Sequence, residues 1–183
     1  MIAGVDEAGR GALAGPLVAA AVILKHPIDG LMDSKALSAS KRLILYESIM
    51  SHAHVRIGIA SRHIIDRVNV LQATLKAMRR AIIQLPYQPT QVIIDGNRKP
   101  SLNHDNVQCL VRADQMIPEV SAASIVAKVI RDRIMVTLDQ QDPRFKFAKH
   151  KGYGTKEHYQ YLQQYGPSPF HRQTFNLKLY SIV

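Results

Sequence analysis

The longest apolar stretch of the chain, Leu17-Val18-Ala19-Ala20-Ala21-Val22-Ile23-Leu24, is far shorter than the ~20 residues a membrane-spanning helix needs. It reads as a strand buried on both faces, which calls for a sheet covered by helices on both sides. Two shorter apolar runs, residues 2–6 and 91–96, each reach a carboxylate as they end, Asp6 with Glu7 in the first and Asp95 in the second. An apolar sheet with acids at its strand ends is the feature from which the rest of the reading follows.

Residues 2–6 and 16–24 are predicted as two strands joined by the glycine-rich turn Gly9-Arg10-Gly11-Ala12-Leu13-Ala14-Gly15, with a third strand over 55–61. Ser38 and Ser40 offer N-caps to a helix over 41–51. A second helix is expected over 70–85, with Leu71, Leu75, Met78 and Ile82 on one stripe and Pro86 and Pro89 ending it. Residues 91–96 and 106–112 read as the fourth and fifth strands. A long helix opens at Pro118, repeats apolar residues at Ala123, Ala127, Ile130, Ile134 and Leu138, and closes at Asp142-Pro143. This order predicts an α/β fold: a mixed five-stranded sheet, part hairpin meander and part parallel, flanked by helices. A small helical C-terminal region follows, with a helix over 155–165. No repeat or low-complexity linker divides the chain, and one domain over 1–183 is expected. At 183 residues such a domain buries roughly 70% of its unfolded surface.

Charge narrows the function. Lys and Arg number 24 against 14 Asp and Glu, a formal net charge of +10. Such an excess favours a polyanionic partner, nucleic acid before an anionic membrane. Cys109 is the sole cysteine, so neither a disulfide framework nor a cysteine-based zinc site is available. The opening residues carry an acid where a signal peptide would need a basic start and an apolar run, and a cytoplasmic location is expected. Nine of the eleven aromatic residues, Phe145, Phe147, Tyr153, Tyr159, Tyr161, Tyr165, Phe170, Phe175 and Tyr180, lie in the basic 143–183 part with seven Lys or Arg. They could form a surface for a nucleic-acid backbone or a second small core; the sequence favours neither.

The acids carry the chemistry. Buried charges need partners, so carboxylates at strand ends point to a rim where a cation can meet them. Asp6, Glu7, Asp95 and Asp114, the last just beyond the fifth strand, can converge because sites in open α/β sheets lie beyond the carboxyl ends of strands. Clustered carboxylates repel unless a cation neutralises them. Oxygen-only ligands favour magnesium or manganese. Two such ions about 4 Å apart activate water and stabilise the leaving oxygen of a phosphoryl displacement. A basic surface would bring in a polyanion and an acidic centre would cleave it. Adjacent strand residues face opposite ways, so Asp6 and Glu7 are expected to share a site through a bend at Gly9 and Gly11.

Other readings weigh less. Residues 9–14 satisfy a loosened G-x-G-x-x-A dinucleotide pattern, but Asp6 and Glu7 would repel pyrophosphate, Gly15-Pro16 interrupts the required helix, and a strand follows. His52, His54, His150, His158 and His171 are expected at the surface, the last three within reach of phosphate. Cys109 is expected in the core. Ser121 and Ser124 lack Asp-His partners and read as small residues that let a helix pack closely on the sheet. Arg131, Asp132 and Arg133 read as a salt-bridge set, with Asp132 a possible fifth acid of the site.

Seven ordered blocks make the sequence resemble bacterial ribonuclease HII along essentially its whole length. They are Val5-Asp6-Glu7-Ala8-Gly9-Arg10-Gly11, Gly15-Pro16, Asp33-Ser34-Lys35, Ile94-Asp95-Gly96, residues 121–128 with Arg131-Asp132, His150-Lys151-Gly152-Tyr153, and His171-Arg172. The resemblance implies a ribonuclease H-like fold. It implies cleavage of the RNA strand of RNA–DNA hybrids, and incision 5′ to ribonucleotides embedded in duplex DNA, leaving a 3′-hydroxyl and a 5′-phosphate. It further implies metal-binding roles for Asp6, Glu7, Asp95 and Asp114, and contact of Gly9, Arg10 and Gly11 with the ribonucleotide 2′-hydroxyl, the group that separates RNA from DNA. Tyr153 would pack near the sugar junction. The Arg of the Gly-Arg-Gly turn favours this type over the related HIII enzymes. One block departs: Arg112-Ala113-Asp114 stands where bacterial members usually carry Lys-Gly-Asp. The protein is expected to act as a monomer with Mn2+ or Mg2+. Two rivals remain, a junction resolvase of the same fold and a non-catalytic nucleic-acid-binding module.

Overall fold

The computed structural model describes residues 1–31 and 37–177; the Asp33-Ser34-Lys35 block and Tyr180 lie outside them. The apolar stretch forms β2 (Leu17–Leu24), antiparallel on one side to β1 (Ile2–Ala8) and on the other to β3 (Ala53–Ala60). β4 (Gln91–Asp95) runs parallel to β1, and β5 (Val107–Leu110) parallel to β4, giving the order β3-β2-β1-β4-β5. The helices are α1 (Ala39–His52), α2 (Arg62–Val68), α3 (Val70–Ile83), α4 (Pro118–Gln141), α5 (Phe147–His150) and α6 (Lys156–Tyr165).

Alternation along β1 divides its side chains between two cores. Ala3 and Val5 pack with Ala77, Met78 and Ile82 of α3; Ala8 packs with Leu45 and Ile49 of α1 and with α4. The two faces of β2 separate the same way, which explains why it is apolar throughout. The small residues of α4 let it lie close to the sheet: Ala122 and Ala123 are fully buried, and a Cβ on Gly4 would overlap the backbone of Glu119.

Two short helices, α2 and α5, depart from the predicted order. α2 begins where the Ser61 hydroxyl accepts from the Ile64 amide. It ends at Asn69, whose φ of 67° breaks the helix while its side chain caps α3. An isolated Ser-capped turn of this length carries too little periodicity to register in a sequence. β5 is shorter than expected because Arg112 takes a left-handed conformation (φ 60°). The aromatic tail is mainly core. Phe145 and Phe147 are fully buried with Leu13, Ala14, Met135 and Leu162, and Tyr159, Tyr161, Phe170 and Phe175 pack against them. Each buried ring contributes ~1.5–3 kcal/mol, and together they fasten α5 and α6 to the 9–15 turn. The predicted surface histidines are a second correction: His150, His158 and His171 are buried in this core. No helix among the described residues is long and apolar enough to cross a membrane.

Candidate active site

β1 continues beyond its last ladder contact with β4, Val5↔Ile94, while its pairing with β2 runs on to Ala8↔Val18. One flank of β1 therefore opens at Asp6 and Glu7, at the carboxyl ends of the two parallel strands. The expected bend is not what brings the acids together, since β1 stays extended through both. Asp6 faces α4, where the Ser124 hydroxyl hydrogen-bonds it, and its Oδ1 accepts from the Glu7 amide at 2.7 Å. Glu7 stands on the opposite side at the rim, 3.4 Å from the Arg10 guanidinium. Asp95 lies close enough for its charge to act on both.

Burial, then the Glu7 charge, then that of Asp95, hold the Asp6 carboxyl well above the usual carboxylate range. Burial also raises Glu7, against the lowering effect of Arg10. Sites that keep carboxylates out of water and near one another favour a cation. Oxygen donors of this kind suit a hard divalent ion. Among the described residues no three acidic, histidine or cysteine side chains stand at chelating distance, so the fit rests on the chemistry of the donors. Asp114 is buried in a single 3₁₀ turn, Ala113–Gln115, and the Ala113 amide donates to Asp95 Oδ1 at 2.8 Å, which ties that turn to the end of β4. Ala113 in place of glycine takes no left-handed strain, because the positive φ falls on Arg112.

A cavity of about 460 Å³ opens beside Asp6 and Glu7, lined also by Gly9, Arg10, Gly11, Ser124, Lys128 and Tyr153. A smaller crevice on the other face is shared by Glu7, Arg10, Asp95 and Asn97, so Glu7 and Arg10 stand at the ridge between the two. A larger groove of about 690 Å³ along β3 and α3 is lined by no acid, histidine or cysteine.

Ser124, expected only to let the helix pack closely, and Lys128, to which the sequence assigns no role, both line the cavity beside Asp6 and Glu7. Both are explained by helical spacing from residue 121 onward, which puts them one turn apart on one face of α4. Burial lowers the Lys128 pKa, and its ammonium meets Asp132 at 2.6 Å. Asp132 is thus engaged one turn along the helix and does not line the cavity. The expected Arg131-Asp132-Arg133 salt-bridge set does not form. Arg131 is fully buried and donates to the carbonyls of Ala14, Pro16 and Lys151, and Arg133 lies over the Tyr46 ring.

The sheet order, with carboxylates where its parallel strands end, is that of a ribonuclease H-like fold. Residues 3–178 match the sequence profile of the family described as ribonuclease HII. The chain is 52% identical over 178 residues to a ribonuclease HII of Coxiella burnetii, covering 96% of this chain and 88% of that one. The chain belongs to the ribonuclease HII family. Among solved structures, it is similar to ribonuclease HII in the PCNA:RNase HII complex from Archaeoglobus fulgidus, with a TM-score of 0.82, 25% identity, and coverage of 100% and 98%. Ribonuclease H2 from Pyrococcus horikoshii gives 0.77 and 28% over 96% and 94%.

Proposed function

We propose that the chain hydrolyses the RNA strand of RNA–DNA hybrids and incises duplex DNA on the 5′ side of embedded ribonucleotides, leaving a 3′-hydroxyl and a 5′-phosphate. The observation that carries this reading is the pair Asp6 and Glu7, with the Asp95 charge acting on both, beside a cavity whose other wall is the Gly9–Gly11 turn and Tyr153. Oxygen donors of this kind suit hard divalent ions, and Asp6, Glu7, Asp95 and Asp114 would hold two of them, Mg2+ or Mn2+. When bound, such ions supply an activated water and neutralise charge on the leaving oxygen.

The remaining work belongs to the chain. Arg10, half-exposed beside Glu7, is placed to meet a backbone phosphate. Gly9, Arg10 and Gly11 would read the ribose 2′-hydroxyl, with the Tyr153 ring against the sugar. Recognition through backbone groups and a sugar hydroxyl is independent of base sequence. The protein would act as a cytoplasmic monomer on hybrids or on DNA carrying stray ribonucleotides, a repair role. The test is a DNA duplex holding a single ribonucleotide, offered with Mg2+ or Mn2+. A nick 5′ to the ribonucleotide is expected, and no nick with either ion overturns the reading.

A further inference from the structure

Arg172 comes from the far end of the chain, yet its side chain is fully buried beneath the 9–16 turn, under the Phe175 ring at 5.0 Å. Its guanidinium donates to the carbonyl oxygens of Gly9 (2.7 Å), Arg10 (2.9 Å), Gly15 (3.0 Å) and Pro16 (3.3 Å). These partners are peptide carbonyls at both ends of one turn, and the nearby acid Asp66 is taken up by the amides of Gln173 and Thr174. A buried cation held this way is costly to keep. An apolar residue could fill the space but could not orient the turn.

The orientation has a direct consequence. Among the described residues every peptide bond is trans, and in a trans peptide the C=O and N–H point opposite ways. With the Gly9 and Arg10 carbonyls turned inward to Arg172, the amides that share those peptide planes, Arg10 N–H and Gly11 N–H, are turned outward. Arg10 and Gly11 are exposed, they line the cavity with Asp6 and Glu7, and Arg172 does not. Cross-links hold the register: the Arg172 amide donates to Leu13 O at 2.9 Å, and Leu13 N donates to Gly152 O at 2.8 Å, next to Tyr153.

We propose that Arg172 is a positioning residue for ribose recognition: by holding the Gly9 and Arg10 carbonyls it presents the Arg10 and Gly11 amides as paired donors to the 2′-oxygen of the ribonucleotide. The proposal rests on the substrate reading above and adds the group that sets the polarity of the turn. Lysine at this position carries the charge but cannot serve carbonyls at both ends of the turn.

The experiment compares binding of two duplexes of one sequence, one with a single ribonucleotide and one all DNA, in an Asp95→Asn background that prevents cleavage. Fluorescence anisotropy reads both affinities for the parent and for Arg172→Lys and Arg172→Gln. Loss of two aligned hydrogen bonds is expected to shrink the preference for the ribonucleotide by about tenfold or more. All-DNA affinity, set by phosphate contacts, stays nearly unchanged. A folded Arg172→Lys variant with undiminished preference overturns the proposal. If circular dichroism shows both variants unfolded, the parent protein carries the test by NMR. The Arg10 and Gly11 amide resonances must then move with the ribonucleotide duplex and not with the all-DNA duplex, and unmoved amides overturn it. A parent with no preference for the ribonucleotide refutes the substrate reading instead, and does so in the first titration.

Discussion

Gly9 and Gly11 flank the same arginine, yet replacing each by alanine has opposite expected outcomes. Gly9 has a φ of +96°, and a Cβ built on it overlaps the Arg131 guanidinium; Gly11 has no atom within 4 Å of such a Cβ. The strained backbone alone costs roughly 1–2 kcal/mol. Arg131 cannot simply swing aside, because its donors are committed to Pro16 O at 3.0 Å, Lys151 O at 2.9 Å and Ala14 O at 3.1 Å. Displacing it breaks at least one charge-assisted bond, worth about 1.5–3 kcal/mol. Gly9→Ala should therefore lose about 2.5–5 kcal/mol, a large share of the ~5–15 kcal/mol that keeps a domain folded. Gly11→Ala should stay within about 0.5 kcal/mol, as surface substitutions do. Urea unfolding followed by circular dichroism measures both. A Gly9→Ala loss under about 1 kcal/mol would show that Arg131 yields freely and would refute the close packing inferred for this turn.

Asp95→Asn should abolish nicking of a ribonucleotide-containing duplex, by at least about a hundredfold, while the duplex still binds; near-normal turnover would remove Asp95 from the site. Mn2+ should raise the thermal midpoint by binding only the folded state, and Asp6→Asn should remove that shift; a midpoint indifferent to Mn2+ in the parent protein would sink the metal assignment. His158 and His171, joined Nε2 to Nε2 at 2.9 Å, have pKa values lowered to about 4, chiefly by burial. The fold keeps them neutral, whereas the unfolded chain binds protons near 6.5. Their contribution is therefore complete above pH 6.5 and is lost as pH falls towards 4, at up to about 1.4 kcal/mol per pH unit for each proton. Imidazole NMR titration checks this directly, and midpoints near 6.5 for both would contradict the buried pair.

Much of the candidate site is legible in the chain. Asp6, Glu7 and Asp95 sit at the ends of apolar runs whose period marks them as strands, and a carboxylate there must meet solvent or a cation. The expectation that a bend at Gly9 and Gly11 brings Asp6 and Glu7 together was wrong in an instructive way. Alternation along β1 is kept, and it is the early end of the β1–β4 ladder that exposes both acids. Ser124 and Lys128 were hidden because residues 120–127 of α4 are all buried, so no polar face marks a site there, and which turn of α4 abuts β1 is settled by packing.

Local periods of two and 3.6 residues mark the strands and the main helices along the chain, and charges that apolar runs cannot carry mark the candidate acids. The fate of the cations and imidazoles follows only from how distant segments pack. His158 and His171 are expected at the surface from the sequence and Arg131 in a salt-bridge set, yet these three and Arg172 are fully buried. The reason is the separation of their partners. Arg131 finds Ala14 O across 117 positions and Arg172 finds Gly9 O across 163. A polar side chain can leave water only where such distant carbonyls or rings meet it.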